Sequence, residues 1–550
     1  MRKFLLAAAR AISGSAAAAA LVAFAVSAGM AEAAAPPKLL IVISIDQYSS
    51  DLFDEYRGQF TGGLARIASG TAFRNGFQSH AATETCPGHA TILTGVHPAR
   101  SGIIANQWVD QSIGRPDKNV YCAEDERVAG STSSKYSLSA EHLRVPTLGD
   151  LMKRRWPNSR NVAVAGKDRS AVMMSGHSAD QLWYWDGTKF ATNLDPAKAP
   201  VSVAATNAVL ARSIAIAREP LTPTPFCVAK ATPIVVPEHA SVGNGAFARA
   251  AGDSKAFRNS PEADGAILAL SAALIQDMKL GQGASPDLIS IGLAATDYVG
   301  HYFGTEGQEM CLQLMSLDRD LGDFMGLLDS SGLDYAVVVT ADHGGLDLPE
   351  RARIKGMKDA QRVDPGLAAA EMGKGIAAKL GISGPALIGD VSGDMWIDRK
   401  IPAADRAKVL DEALGRYRAH PQVEAVFTHD EIARTAMSPA TPDKWSLIQR
   451  ARASFDPERS GDFTVILKYD VTPIGHAIGA VATHGSPWDY DRRVPILFWR
   501  GLASPDPRDE AVETVDIMPT LAALMGIDIA PGQVDGKCLQ GILNVVCPTR

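Results

Sequence analysis

"LLIVISID", residues 39–46, is a continuous run of apolar residues that ends in one carboxylate, Asp46. Short apolar runs that do not alternate with polar residues are typical of strands covered by helices on both faces. Four further stretches have the same form, and they are NVAVAGKDR (161–169), DLISIGLAATD (287–297), YAVVVTADHGG (335–345) and VPILFW (494–499). The five stretches therefore predict buried strands of one mainly parallel sheet.

Helical patterns lie between these predicted strands, for example over residues 308–328 and 515–525. This alternation predicts an α/β fold, a three-layer α/β/α sandwich with a mainly parallel central sheet. In such a sheet, ligands gather at the carboxyl ends of the strands. We therefore expect the functional residues to follow the strands directly.

Two regions interrupt the alternation. Residues 185–260 are rich in Ala, Pro, Ser and Thr and only weakly periodic, which predicts an excursion over the active face. Residues 365–475 hold the helix-like PAADRAKVLDEALGRYRAH and the strand-like DFTVILKYD, which predict a small α+β insertion. No internal repeat is evident, so we expect one domain over 36–550 with inserted cap or lid segments.

The first 35 residues have the pattern of a secretory signal peptide. A basic start is followed by an Ala-, Val- and Leu-rich run and then by small residues, and cleavage is expected near Ala34 or Ala35. A retained membrane anchor is the alternative, but no later stretch approaches the ~20 apolar residues that span a bilayer. We expect a periplasmic or secreted protein without stable membrane insertion after cleavage.

The charge of the chain limits its partners. Residues 1–35 carry a net +2, so their removal moves the formal charge from −7 to −9. An acidic chain without a basic stripe lacks the electrostatic footprint of a nucleic-acid-binding protein. A site for an anionic ligand must therefore be locally positive. The sequence assigns no oligomeric state.

Six cysteines lie in the predicted mature chain, at positions 86, 122, 227, 311, 538 and 547. An even number in an exported protein indicates disulfides, although six cysteines allow 15 pairings. Proximity in sequence favours only the short Cys538–Cys547 loop.

Carboxylates and imidazoles follow the predicted strands in four separate segments. Each taken alone has an ordinary explanation, since a lone Asp after a strand is commonly a helix N-cap. Their recurrence at Gly-marked strand ends instead favours metal ligands, because Asp and His are typical ligands of zinc. The spacing of Asp297 and His301 also places both on one face of a helical turn. The candidate ligands, which suffice for two sites of three ligands each, are Asp46, Asp297, His301, Asp342, His343 and His484.

The stretch TETCPGHATILTG, residues 83–95, contains three candidate nucleophiles at a turn marked by Pro and Gly. Thr83, Thr85 and Cys86 all carry a reactive atom, and no neighbouring side chain is an obvious base. The residues alone leave the choice among the three open.

The order of the motifs ISIDQ, TETCPGHATILTG, GKDR, ATDYVGH, TADHGG and THGSPWDYDRRVPILF resembles the alkaline phosphatase superfamily. The nearest likeness is to bacterial periplasmic alkaline phosphatases with a threonine nucleophile, relatives of the nucleotide pyrophosphatase/phosphodiesterases. The resemblance covers nearly all of residues 38–530. It implies two Zn2+ per chain, one held by Asp297, His301 and His484, and the other by Asp46, Asp342 and His343 with Thr85 reaching it.

The same resemblance selects the nucleophile. The family pattern of threonine, any residue, proline, any residue and histidine falls on Thr85 to His89, which makes Thr85 the attacking residue. No base is required, because a bound zinc lowers the pKa of the hydroxyl. Sulfatases of the superfamily use a cysteine here but need an arginine four residues later, where this chain has Ala90. Cys86 is therefore expected to be a disulfide half or a buried thiol, and His89 a structural residue.

Three further residues are expected to bind the phosphoryl group. Asn106 follows Thr85 by 21 residues, where the resembled phosphatases have a substrate-binding amide. Lys167 and Arg169 follow a predicted strand, and in an extended chain their i, i+2 spacing directs both to one side. Within this family the Lys-x-Arg pair marks phosphomonoesterases, although such a pair taken alone is commonly a solvated surface feature.

These residues predict a zinc alkaline phosphatase that hydrolyses small phosphate monoesters through a phosphothreonine intermediate. The alternative is a phosphodiesterase or nucleotide pyrophosphatase that uses the same site. A third interpretation, a secreted metal-binding or scaffold protein without activity, would be expected to lack a nucleophile or a ligand, and here every position is filled.

Overall fold

The computed structural model describes residues 35–501 and 504–548. The predicted signal segment therefore lies, except for Ala35, outside the described residues. The strands are β1 (Leu39–Ile45), β2 (Thr71–Phe77), β3 (Gln107–Val109), β4 (Asn119–Tyr121), β5 (Asn161–Ala165), β6 (Gln181–Trp185), β7 (Phe190–Ala191), β8 (Asp287–Leu293), β9 (Tyr335–Thr340), β10 (Gln361–Arg362), β11 (Leu387–Ile388), β12 (Gly393–Ile397), β13 (Val423–Thr428), β14 (Phe463–Leu467), β15 (Val471–Thr472), β16 (Arg493–Arg500), β17 (Asp506–Arg508) and β18 (Val512–Glu513).

Helices lie between most of these strands, as the sequence pattern predicts. The helices are α1 (Ser50–Tyr56), α2 (Gly63–Ala68), α3 (Thr85–Thr94), α4 (Pro98–Ser101), α5 (Leu148–Arg155), α6 (Asp168–Ser175), α7 (Val201–Ile214), α8 (Pro225–Val228), α9 (Ser254–Arg258), α10 (Glu262–Asp277), α11 (Ala295–Phe303), α12 (Gln308–Ser330), α13 (Pro349–Ile354), α14 (Ala369–Leu380), α15 (Ala403–Ala419), α16 (His429–Arg434), α17 (Leu447–Ser454), α18 (Asp489–Arg492) and α19 (Ile517–Leu524).

All five predicted strands belong to one large sheet. Its order is β17-β2-β16-β9-β1-β8-β5-β6-β7, with β18 also paired to β2. The strands β9, β1, β8, β5 and β6 run parallel, whereas β16 is antiparallel to both of its neighbours. In register, Ile43 of β1 lies beside Ile291 of β8, and Ser44 lies beside Thr340 of β9. The carboxyl ends of these three strands therefore meet at one edge, where ligands gather.

Side chains of the central strand β1 point alternately to two apolar layers. Leu39, Ile41 and Ile43 pack into a cluster that includes Leu270 of α10. Leu40 and Val42 pack into a second cluster that α19 helps to form. Both faces of the sheet are thus covered by helices, which explains why the strands are continuously apolar. The predicted three-layer α/β/α fold is confirmed.

The two interrupting regions contain different structures. Between β11 and β14 the chain forms a separate four-stranded sheet in the order β11-β12-β14-β13, packed against α14 and α15. In the 185–260 region, α7 joins the apolar layer of α10. Ile234 and Val242 pack with Leu348 and Val481, near the end of the sheet that carries the polar residues. A lid function for either region stays a prediction. Within residues 35–501 and 504–548, no helix is both long and apolar enough to cross a bilayer.

The six cysteines form three disulfides. Cys538 is bonded to Cys547, as the short loop predicts. The other pairs are Cys86–Cys122 and Cys227–Cys311. Their halves are 36 and 84 residues apart, so proximity in sequence gives no indication of either pairing.

His97 connects the start of α4 to the C-terminal part of the chain. Its Nε2 lies 2.8 Å from Glu513 Oε2 and its Nδ1 lies 3.2 Å from Asp535 Oδ2. Burial favours the neutral ring, but Asp535 and Glu513 outweigh it and raise the pKa of His97 to about 9. Ser79 also donates to Glu513, and Arg100 contacts Asp535, so these partners are fixed in place.

This histidine predicts a loss of stability at alkaline pH. The folded pKa is raised above the unfolded value of 6.5, so the stabilisation is complete below pH 6.5 and disappears as the pH rises through about 9. Its size is on the order of 3 kcal/mol for a shift of this extent. We expect the free energy of unfolding, measured with urea, to fall between pH 7 and pH 10, and to fall less in His97→Gln. Equal pH slopes in both proteins would contradict the assignment. His476→Gln, which alters an exposed histidine, should keep the parental slope.

Candidate active site

The candidate metal ligands converge at the edge where β1, β8 and β9 end. Asp46 follows β1 directly, and Asp297 lies in the first turn of α11, which follows β8. Asp342 and His343 follow β9 within three residues. These four side chains are almost completely buried. Parallel strands thus bring together residues that are up to about 300 positions apart in the sequence.

Three histidines direct Nε2 to this cluster, because Nδ1 of each ring is hydrogen-bonded to a backbone oxygen. The Nδ1 atoms of His301, His343 and His484 lie 2.9, 2.9 and 2.8 Å from the backbone oxygens of Ala482, Gly344 and Thr83. A carbonyl oxygen only accepts, so each Nδ1 carries the hydrogen and the neutral ring keeps its lone pair at Nε2. This is the arrangement found in histidines that ligate metals.

Those Nε2 atoms face carboxylate oxygens at close range. His301 Nε2 and His484 Nε2 lie 3.2 and 3.5 Å from Asp297 Oδ1, and His343 Nε2 lies 3.4 Å from Asp46 Oδ1. Among the described residues, Asp297 Oδ1, Asp46 Oδ1 and His343 Nε2 make no hydrogen bond although they are buried. Lone pairs that face one another in a buried site repel unless a cation lies between them. The donor set therefore fits a metal ion.

The ligand atoms form overlapping groups. Asp297, His301 and His484 form one group whose atoms lie within 4.8 Å of one another, the combination predicted for one ion. The other two groups are Asp46 with Asp297 and His343, and Asp46 with His89 and Asp342. The second predicted set is not itself one of the groups found among the described residues, although His343 Nε2 lies 3.3 Å from Asp342 Oδ2 and 3.4 Å from Asp46 Oδ1. Burial and the charge of Asp342 raise the pKa of Asp46 well above its usual value against the opposing effect of Lys167, so a further cation would favour its ionised form. All six predicted ligands thus lie in one cluster.

Thr85 is the first residue of α3 and is fully buried. Its Oγ1 lies 3.4 Å from Lys167 Nζ and 3.4 Å from Arg169 Nη2. The helix N-terminus adds a partial positive charge where the hydroxyl lies. Of the three candidate nucleophiles, Thr83 donates its hydroxyl to Ser486 O, and Cys86 is in a disulfide. The hydroxyl of Thr85 is the one that faces the cationic side chains.

Lys167 lies between the carboxylates as well as beside Thr85. Its Nζ is 2.6 Å from Asp297 Oδ2 and 2.8 Å from Asp46 Oδ2. Burial disfavours the ammonium, but the charges of Asp297 and Asp46 outweigh it and raise the pKa of Lys167. Lys167 is therefore a permanent cation in the centre of the site.

The convergence of Lys167 and Arg169 has a different origin from the one predicted. The strand β5 ends at Ala165, and Asp168 and Arg169 already belong to the first turn of α6. A Cβ on Gly166 would lie 2.5 Å from Ala294 Cβ, so the close approach of the β5 and β8 ends requires glycine at the turn. The extended i, i+2 geometry was wrong, because the turn after Gly166 starts the helix before Arg169.

Asn106 is held against α3, the helix of the candidate nucleophile, by hydrogen bonds with backbone groups. Its side-chain Oδ1 accepts from Cys86 N at 2.8 Å, and its own backbone N donates to Glu84 Oε2 at 2.6 Å. Since Oδ1 is engaged, the Nδ2 donor is the side-chain atom left for a ligand.

Sequence reasoning did not identify several supporting residues. Asp264 accepts from Ala294 N and Ala295 N at 2.9 Å each, so it caps the helix that carries Asp297 and His301. It follows a proline at the start of α10 and has no motif that distinguishes it.

Gln47 and His89 are further supports. Gln47 adopts the left-handed backbone conformation (φ 64°), and its backbone N donates to Asp342 Oδ1 at 3.2 Å. A Cβ on Gly300 would lie 1.6 Å from Gln47 Oε1, so the side chain of Gln47 packs directly on the backbone before His301. His89 Nδ1 lies 2.9 Å from Thr85 O and 3.1 Å from Asp342 Oδ2, so it joins the first turn of α3 to a candidate ligand.

A cleft of about 780 Å³ opens beside Asn106 and His484. Strands β12 and β14 of the inserted sheet form one wall, and the chain around Trp108 forms the other. A volume of this size accommodates a small organic ligand. Glu84, which precedes the candidate nucleophile, thus lines a space large enough for the organic part of a phosphate ester.

Comparison with known proteins gives a consistent result. A family model described as type I phosphodiesterase / nucleotide pyrophosphatase matches residues 40–487. Alkaline phosphatase PhoK of Sphingomonas sp is 52% identical over 92% of this chain and 91% of the relative. Alkaline phosphatase PhoD of Zymomonas mobilis is 45% identical over 91% and 88%. The crystal structure of wild type alkaline phosphatase PafA has a TM-score of 0.79 and 26% identity, covering 94% of this chain and 100% of that one. The chain belongs to the type I phosphodiesterase / nucleotide pyrophosphatase family, within the alkaline phosphatase superfamily.

Proposed function

We propose that this alkaline phosphatase hydrolyses phosphate monoesters with Thr85 as its nucleophile. The observation that carries the proposal is the position of Lys167 Nζ and Arg169 Nη2, each 3.4 Å from Thr85 Oγ1. A buried lysine and a partly buried arginine beside one hydroxyl form a site for a doubly charged phosphoryl group, although the chain as a whole is acidic. The names of the relatives PhoK and PhoD support the same activity.

Two zinc ions are proposed as cofactors. Asp297, His301 and His484 would hold one ion, and the other would be held by a second set of residues. When bound, zinc lowers the pKa of a hydroxyl or water and neutralises charge on a phosphoryl group. The second set, which would hold the other ion, consists of Asp46, Asp342 and His343, and Thr85 would reach that ion.

The side chains then divide the reaction as follows. Thr85 Oγ1 bonds to phosphorus as the bond to the leaving oxygen breaks, and the proton lost by the hydroxyl passes through solvent to the leaving oxygen, so that the products are a phosphothreonine and an alcohol. A water molecule next attacks the phosphothreonine, so that inorganic phosphate leaves and the hydroxyl of Thr85 is restored. Asn106, Lys167 and Arg169 bind the non-bridging oxygens, whose charge develops in the transition state.

The same residues bear on the phosphodiesterase alternative. A monoester dianion presents one more charged oxygen than a diester, and an arginine fork with a lysine beside it suits that extra charge. We therefore propose that phosphate monoesters are the preferred class. The test compares kcat/KM on an aryl phosphate monoester and on the matching diester at one pH. A higher value for the diester would overturn the preference.

The metal assignment predicts a loss of bound zinc in ligand variants. His301→Ala or Asp342→Ala should lower the zinc content per chain and remove most of the activity, because each removes a ligand from a buried site. Elemental analysis of the purified protein checks the content directly. His476→Ala, which alters an exposed histidine, is the control and should retain the parental zinc. Parental zinc content in both ligand variants would refute the assignment.

The proposed location is the periplasm or the cell exterior. Residues 1–35 have the pattern of a signal peptide, and the three disulfides suit an oxidising compartment. Small phosphorylated compounds are the proposed substrates.

A further inference from the structure

The Cys86–Cys122 disulfide lies directly beside the proposed nucleophile. Cys86 follows Thr85 in the first turn of α3, and Cys122 follows Tyr121 at the end of β4. Both cysteines are fully buried. The bond therefore fixes the first turn of the nucleophile helix to a segment that is 36 residues away in the sequence.

Asn106 lies between the two halves of this disulfide. Its side-chain Oδ1 accepts from Cys86 N at 2.8 Å, and its backbone O accepts from Cys122 N at 2.9 Å. Its backbone N donates to Glu84 on the other side of Thr85. The side chain proposed to bind the phosphoryl group thus depends on both cysteine residues for its position.

The second half of the disulfide also leads to the cationic pair. The hydroxyl of Tyr121 donates to Asp168 Oδ1 at 2.8 Å, and the ring of Tyr121 packs on the ring of Tyr136, which donates to the other oxygen of Asp168. Asp168 is the residue between Lys167 and Arg169, and its Oδ1 accepts from Arg169 N at 2.7 Å. The disulfide and these hydrogen bonds together therefore link the first turn of α3, Asn106 and the turn that carries both cations.

We propose that the Cys86–Cys122 disulfide is a positioning element of the phosphate-binding site. It holds Asn106 against the first turn of α3 and Tyr121 against the Lys167–Arg169 turn. This inference rests on the proposed function, because it assigns the disulfide to the site in which Thr85 and Asn106 act. It follows that full activity requires oxidation of this pair, which an oxidising compartment provides.

The test compares two disulfides that are equally buried. Cys86→Ser/Cys122→Ser removes the proposed positioning bond, and Cys227→Ser/Cys311→Ser removes a disulfide between α8 and α12. Cys227–Cys311 closes the longer loop, 84 residues against 36, so its loss should cost at least as much thermal stability. Because a serine pair in a buried site can impair folding, Cys86→Ala/Cys122→Val is made as well.

We expect loss of Cys227–Cys311 to lower Tm at least as much as loss of Cys86–Cys122, but loss of Cys86–Cys122 to lower kcat/KM far more. Loss of Cys86–Cys122 should lower kcat/KM on an aryl phosphate monoester by about 10- to 100-fold, since a displacement of ~1 Å at a reacting group costs that much. The inhibition constant of inorganic phosphate should rise in the same variants. Loss of Cys227–Cys311 should lower Tm without changing either constant by more than about two-fold. Unchanged kcat/KM and unchanged phosphate inhibition in the folded Cys86/Cys122 variants would overturn the proposal.

A double-mutant cycle separates positioning from general destabilisation. Because Asn106 is one of the two groups that the disulfide holds, removal of the disulfide should lower kcat/KM by a smaller factor in an Asn106→Ala background than in the parental enzyme, and the remainder measures the route through Tyr121. Fully additive losses would overturn the route through Asn106. Thr85→Ala distinguishes failure of the proposed function from failure of the positioning role. An active Thr85→Ala enzyme would refute the proposed function, whereas an inactive one with unaffected disulfide variants would refute only the positioning role.

Discussion

Thr85→Ala is expected to reduce kcat on an aryl phosphate monoester by roughly 10³-fold or more, because the variant has no oxygen that can bond to phosphorus. The phosphorylated intermediate should disappear with it. Thr85→Ser should stay active, because serine keeps a hydroxyl at the start of α3 beside Lys167 and Arg169. The measurement is steady-state kinetics of the parental enzyme, Thr85→Ala and Thr85→Ser, each with its zinc content verified.

Thr83→Ala is the matched control for this prediction. Thr83 is also a fully buried threonine, but its hydroxyl donates to Ser486 O, and its backbone oxygen, which accepts from His484, is retained in the variant. Its kcat should therefore remain close to the parental value. An active Thr85→Ala enzyme beside an inactive Thr83→Ala enzyme would show that Thr85 is not the nucleophile.

Lys167→Ala and Arg169→Ala are expected to cost monoester turnover more than diester turnover. A buried contact to a charged phosphoryl oxygen contributes about 2–4 kcal/mol in the transition state, by analogy with an oxyanion-hole donor. This corresponds to roughly 30- to 1,000-fold in kcat/KM on the monoester. The diester should lose less, because it has one fewer charged oxygen for these side chains. The measurement is kcat/KM on both substrate classes, with zinc content determined for each variant because Lys167 also contacts Asp46 and Asp297.

Arg258→Ala provides a control for the general loss of positive charge. Arg258 lies over the ring of Tyr298, 4.7 Å from its centre, and Lys167 lies 5.3 Å from the same ring. Arg258→Ala should lower kcat/KM on the monoester and on the diester slightly and by the same factor. Equal losses on monoester and diester in the Lys167 and Arg169 variants would show that the pair does not set the preference, and the phosphodiesterase alternative would then be favoured.

The strands and the site edge could be predicted because the sequence carries their physical cause. Strands covered on both faces are continuously apolar, so β1, β8 and β9 could be identified from the sequence. Asp46, Asp297 and Asp342 follow the ends of these strands. The direction of β16 is not encoded in this way. An apolar run has the same composition whichever way the strand runs, and β16 proved antiparallel.

Contacts across long sequence separations could not be predicted. Cys86 and Cys122 are 36 residues apart, and nothing in either segment identifies the other. Asp264 caps the helix of Asp297 from a different helix, so its role depends on packing rather than on a motif. Arg169 shows a local failure, because the turn at Gly166 starts α6 between Lys167 and Arg169, while the two side chains still converge.

Phosphopeptide mapping after rapid acid quench tests the central claim most directly. The zinc-loaded enzyme is mixed with an aryl phosphate labelled in its phosphoryl group, quenched, digested, and analysed by mass spectrometry. The account predicts label on Thr85 alone, in the peptide that contains TETCPGHATILTG, and no label in Thr85→Ala. Label on Thr83 or on any residue outside this stretch, or label that persists in Thr85→Ala, would contradict it.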